Sequence, residues 1–129
     1  MRITGKTQIY GLIGDPIECT RTPEVYNAGF AERGLDIAAM PLHIPRRGLP
    51  ELVAAARGRQ NLVGFGVTMP HKEAVTAHVD ERIGPAVLCG AVNVVRRDSG
   101  GRLTGAQLDG PGFGWCLEKT GFSLPAGPP

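Results

Sequence analysis

The chain has 129 residues, of which 42% are apolar and 20% charged, and its net charge is +2 from 14 basic and 12 acidic side chains. That describes one ordinary globular domain with a real core. No apolar run approaches the roughly 18 residues of a membrane span, so no membrane partner is expected. The basic residues are scattered, with Arg96 and Arg97 the one cluster, which excludes a phosphate-tracking surface and hence a nucleic-acid partner.

The basic N-terminus runs into only about six apolar residues before Asp15-Pro16, which does not make a signal peptide. Thr7 to Gly14 reads as a buried strand, ended by the turn at Gly14-Asp15-Pro16. Pro23 to Arg33 reads as a helix, with Thr22 as N-cap, Pro23 at the first helical position and Gly34 as terminator. Asp36 to Ile44 is a second strand, where Pro41 calls for an edge or a bulge. Leu49 to Arg57 has the pattern of a short amphipathic helix. Asn61 to Thr68 is a third strand, and a helix is expected from about His71 to Val79 after Pro70.

Pro85 to Cys89 reads as a helical turn. Ala91 to Arg97 and Arg102 to Gln107 form a hairpin around Asp98-Ser99-Gly100-Gly101. A closing helix is expected over Gly112 to Thr120, with Gly112 letting it approach the sheet. The tail after Gly121 has linker composition. The alternation predicts an α/β fold: a three-layer, open, mostly parallel twisted sheet with one antiparallel hairpin and helices on both faces.

In such sheets ligands bind beyond the carboxyl ends of the strands. Thr20 and Thr22 follow the first strand there, Thr68 and Lys72 the third, and Asp109 the last, while Asn93 sits within the apolar strand AVNVV. Each also has a plain structural reading. Thr22 and Asp109 could be helix caps, Asn93 a satisfied core amide or a bulge, and Lys72 a solvated surface cation. Together they place hydroxyls, an amide, a carboxylate and an ammonium at one end of the sheet, a set suited to a small polyhydroxylated acid. A helix starting near Lys72 would depress the lysine pKa, as a proton relay needs.

Neither GGRLTG in the hairpin nor GPGFG before the last helix has the spacing and setting of a dinucleotide cradle. The cysteines Cys19, Cys89 and Cys116 are odd in number and far apart, which matches neither a disulfide framework nor a metal site and points to a reducing cytoplasm. His43, His71 and His78 lack ligand spacing.

YGLIGDPIECTRTPEVYN, GFGVTMPHKEAV, CGAVNVVRR and GAQLDGPGFGWCLE occur in that order. As a set they resemble the N-terminal, substrate-binding domain of shikimate dehydrogenases over about residues 8 to 121. The resemblance implies an oxidoreductase of aromatic amino acid biosynthesis, interconverting 3-dehydroshikimate and shikimate with NADP. It implies Lys72 and Asp109 as the catalytic pair on the reacting hydroxyl, and Asn93 and Thr68 as substrate-binding residues. It places Thr20 and Thr22 where the family commonly has two serines for the substrate carboxylate.

Gly66 stands where an asparagine is usual, and Gln107-Leu108 where Asn-Thr is usual. With threonines in the loop, these changes leave room for quinate or a related ring acid. The implied organisation is a substrate-binding domain over residues 1–121 and the start of an interdomain linker over 122–129. The nucleotide-binding domain that holds NADP in the family would lie beyond it. The alternatives are a stand-alone, non-catalytic binding module for a hydroxylated ring acid, or a decayed remnant without a ligand. A homodimer is compatible with the reading and not required by it.

Overall fold

A computed structural model describes residues 2–122. In chain order the elements are β1 (Gln8–Gly14), α1 (Thr22–Glu32), β2 (Ile37–His43), a 3-10 turn (Arg46–Gly48), α2 (Leu49–Gly58), β3 (Leu62–Val67), a second 3-10 turn (Ala74–Ala77), β4 (Glu81–Ile83), α3 (Pro85–Cys89), β5 (Val94–Arg97), β6 (Leu103–Ala106) and α4 (Asp109–Lys119). The strands form one sheet in the order β2-β1-β3-β5-β6-β4. β1 pairs in parallel with β2 and β3, and β4 with β6, while β5 is antiparallel to both its neighbours. β5 alone therefore runs against the rest. The mostly parallel α/β fold with one hairpin is the expected architecture, and β2, with Pro41, is the edge strand its missing N–H requires.

Alternation along β1 assigns the helices to the two faces. Tyr10 packs its ring on Tyr26 and Phe30 of α1. Ile9 and Ile13 face the other way, toward Leu52 and Ala56 of α2. The fully buried core lies on that second face, around Ile13, Leu49, Val53, Phe65, Val75, Val92 and Val95. Gly64 has φ +154°, and a Cβ there would come within 2.2 Å of the Val95 carbonyl oxygen. A side chain at 64 would thus force β3 and β5 apart.

Several elements differ from expectation. The helix expected over 71–79 is only the 3-10 turn Ala74–Ala77. The Lys72 carbonyl that would receive a helical N–H instead accepts from Val92 N at 2.8 Å, and Thr76 N turns to Glu73 O at 3.1 Å. Pairing with a distant segment has overridden local helical preference. No α-helix begins at Lys72, so the helix dipole expected to act on its ammonium is absent. β4 went unrecognised because three exposed residues carry no periodicity. The closing helix begins at Asp109 rather than Gly112 and buries no residue, and nothing lies within 4 Å of a Cβ built on Gly112. The close approach assigned to that glycine is absent. The expected linker falls at 122–129, almost wholly outside the described residues.

Candidate functional site

The parallel strands β1, β3 and β6 end on the same side of the sheet, and β5, reversed, begins there. Every candidate side chain sits at that end. Lys72 follows β3 through Thr68, Met69 and the cis Met69–Pro70 peptide. Its segment is pinned at several points. Thr68 N donates to Ile13 O at 2.9 Å, His71 N to Thr68 O at 3.0 Å, and Val92 N to Lys72 O at 2.8 Å. The ring of His71 is buried, with Nε2 2.6 Å from Ile44 O. A carbonyl can only accept, so that nitrogen carries the proton and ties the lysine loop to the end of β2.

From this support the Lys72 ammonium reaches Asp109 across 37 positions of sequence, with Nζ 2.6 Å from Oδ2. The other carboxylate oxygen, Oδ1, accepts from Asn93 Nδ2 at 2.6 Å, and Asn93 Oδ1 accepts from Leu108 N at 2.8 Å. Gln107 Oε1 accepts the Asp109 N–H at 2.9 Å. The lysine and aspartate side chains are 34% and 56% exposed, so the pair is ordered by partners yet open to a ligand. Asn93 is not within a strand. It occupies the bend just before β5, with its carbonyl accepting from Val67 N at 2.8 Å and its N–H donating to Ala106 O at 3.0 Å. Its backbone joins β3 to β6, and its amide is thereby aimed at Asp109.

Thr20 and Thr22 form a second group. Thr20 Oγ1 lies 3.3 Å from Thr22 Oγ1 and accepts weakly from Thr22 N at 3.4 Å. Thr22 is not the N-cap: Arg21 flanks the helix, and Thr22 is its first residue. Both hydroxyls therefore gather at the start of α1, the positive end of its dipole. Thr68 lies against Gly14 at the end of β1, where a Cβ built on the glycine would meet Thr68 Cγ2 at 2.5 Å. Lys72 and Asn93 are thus each bonded to Asp109, and Thr20 to Thr22. Among the described residues no hydrogen bond links the two groups.

His71, Gln107 and the Leu108 backbone are positioning groups that the sequence pattern does not single out. A histidine beside a candidate lysine, and a glutamine two residues before a candidate aspartate, were the available signals. A second short contact at this end joins His43 Nε2 to Asp15 Oδ1 at 2.7 Å, and that hydrogen bond raises the imidazole pKa. Among the described residues, no three His, Cys, Asp or Glu side chains gather to hold a metal, and no helix is long and apolar enough to cross a membrane.

The family model described as the shikimate dehydrogenase substrate binding domain matches residues 12–95. A shikimate dehydrogenase (NADP(+)) of Rubrobacter xylanophilus is 43% identical over 122 residues, which is 93% of this chain and 42% of that protein. The crystal structure of shikimate 5-dehydrogenase from Listeria monocytogenes, in complex with shikimate and NAD, superposes with a TM-score of 0.90 at 36% identity, covering 96% of this chain and 42% of the other. Quinate dehydrogenase from Corynebacterium glutamicum, in complex with NAD, superposes with a TM-score of 0.79 at 31% identity, covering 88% and 42%. The chain thus spans about two-fifths of the length of these relatives.

Proposed function

The chain belongs to the shikimate dehydrogenase substrate-binding domain family, and from that premise we propose that it binds a hydroxylated ring carboxylic acid of the shikimate or quinate type. In this reading it supplies the proton-handling half of an NADP-dependent dehydrogenase that interconverts 3-dehydroshikimate and shikimate. The observation that carries the proposal is the convergence of Lys72 Nζ and Asn93 Nδ2 on the two oxygens of Asp109. A ring hydroxyl entering between Lys72 and Asp109 accepts from the ammonium and donates to Oδ2, which fixes its carbon in one orientation. As alcohol and carbonyl interconvert, that hydroxyl loses or regains its proton through the same pair. Asn93 holds the carboxylate in register for this exchange.

The remaining groups suit the rest of such a ligand. The hydroxyls of Thr20 and Thr22 at the α1 N-terminus offer donors to its carboxylate, where the helix dipole also favours an anion. Thr68, beside Gly14, offers a further donor to a ring hydroxyl. The described residues do not fit a dinucleotide. The helix following the last sheet strand opens with the Asp109 carboxylate in its first turn, which repels a pyrophosphate where a nucleotide-binding helix would attract one. NADP, named with the curated relatives, is accordingly assigned to sequence beyond this span.

Calorimetric titration of the chain with shikimate and with quinate tests the proposal. Binding of at least one acid is expected, weakened at least about tenfold by Asp109→Asn. No heat and no shift of melting temperature with either acid at millimolar concentration overturns it.

A further inference from the structure

A cavity of about 170 Å³ lies on the opposite face of the sheet from α1, between α2 and strands β1 and β2. Ile13 and Phe65 line it from the sheet, Leu42 and Met40 from the edge strand, and Leu52 and Ala55 from α2. The cavity opens to solvent beside Ala55 and Arg59, which are both exposed, and its other lining residues are apolar; its volume is close to the roughly 150 Å³ of an apolar cavity that takes up benzene. The one charged side chain lining the cavity is Arg59, just past the end of α2. It is exposed, and among the described residues its guanidinium makes no hydrogen bond and no ion pair.

We infer that this cavity is a second ligand site, for a small aryl carboxylate without ring hydroxyls. The volume matches one six-membered ring, and Arg59, whose guanidinium is unpaired among the described residues, is the lining residue able to recognise a carboxylate in bidentate fashion. The lining rejects the polyhydroxylated acid proposed for the other end of the sheet, whose hydroxyls would be buried there without partners. Methionine at 40 lets the wall adjust to ring substituents. The inference is independent of the proposed catalytic role, since none of the residues at the Lys72 cluster touches the cavity. Ile13 connects the two places. Its side chain lines the cavity, and its carbonyl receives the Thr68 N–H.

The test titrates the isotope-labelled 129-residue chain with 3-phenylpropanoate and follows methyl resonances. Saturable shifts are expected at Ile13, Leu42 and Leu52, with a Kd of about 1 mM or tighter. The neutral analogue 3-phenylpropan-1-ol should bind about tenfold more weakly, and Arg59→Gln should erase that difference. Ala55 is exposed, so Ala55→Phe should keep the melting temperature while blocking the cavity and abolishing the shifts. No shifts at 10 mM (roughly ten times the expected Kd) overturn the proposal. So do equal affinity for acid and alcohol, and binding that survives Ala55→Phe. Sedimentation is the last arm: a concentration-dependent dimer that Ala55→Phe dissolves would make a second copy the occupant and also overturn it.

Discussion

The two ends of the β5–β6 hairpin carry polar clusters of opposite character. At the turn end, Arg97 is 7% exposed and its guanidinium donates to three backbone carbonyls, those of Ala56, Arg57 and Asp98. Beside it Arg57 pairs with Asp80, and Asp80 Oδ2 accepts Leu103 N at 2.7 Å. At the other end, Lys72, Asp109 and Asn93 bond chiefly through side chains and stand open to solvent. Donors spent on buried carbonyls cannot be given to a ligand without leaving those carbonyls unpaired. Donors spent on an exposed carboxylate can be exchanged for a hydroxyl at small cost. The difference separates a cluster committed to the fold from one whose donors are free to exchange partners.

Substituting Gly64 should break both ends at once. Gly64→Ala drives a methyl into the Val95 carbonyl and should cost about 3 kcal/mol or more in denaturant unfolding, with loss of ring-acid binding. Arg97→Ala should break only the turn end. It strands buried carbonyls and should cost about 2–3 kcal/mol, while ring-acid affinity measured below the unfolding transition stays within about twofold. Lys72→Ala should give the reverse pattern: stability within about 1 kcal/mol of the parent, with ring-acid affinity reduced at least about tenfold. A Lys72→Ala chain that lost stability as Arg97→Ala does, or kept its affinity, would collapse the distinction.

Acid should act on the turn end first. The hydrogen bond from Arg57, and then that from Leu103 N, hold the Asp80 pKa below its usual 3.8. A lowered folded-state pKa means stabilisation fully present above about pH 4 and lost as pH falls through the depressed value. Asp80→Asn should flatten the acid limb of a stability–pH curve.

The smallest effect is at the opposite end, where the Asp15 hydrogen bond raises the His43 pKa above 6.5. Its stabilisation is complete below pH 6.5 and disappears as pH rises through the raised value. His43→Gln should remove that shallow alkaline slope without touching the acid limb.

Much of this was legible in the chain itself. Apolar runs bounded by glycine and proline located β1, β2, β3 and the hairpin, and Pro41 marked the edge. The spacing of Lys72, Asn93 and Asp109 in matched motif blocks located the polar convergence. The failures at residues 71–79, at β4 and at Arg97 share one cause: long-range pairing. Val92 captures the Lys72 carbonyl from 20 residues away and unwinds the expected helix, which no local pattern announces. β4 exists only because β6 offers it a partner. Arg97 read as half of a surface basic pair, and its burial depends on where α2 places the carbonyls of Ala56 and Arg57.

The reversed direction of β5 makes the turn at 98–101 a handle for instrumentation. The turn begins five residues from Asn93, about 16 Å away at 3.3 Å per residue. Asp98 Oδ1 fastens its loop by accepting from the backbone N–H groups of Gly100 and Arg102, while Gly101, at φ +86°, rests against the Arg57 carbonyl. A reporter dye attached through Ser99→Cys, with Cys19, Cys89 and Cys116 replaced by serine, would therefore sit on solvent-facing backbone. It would report ligand arrival at the far end of the same hairpin without obstructing it.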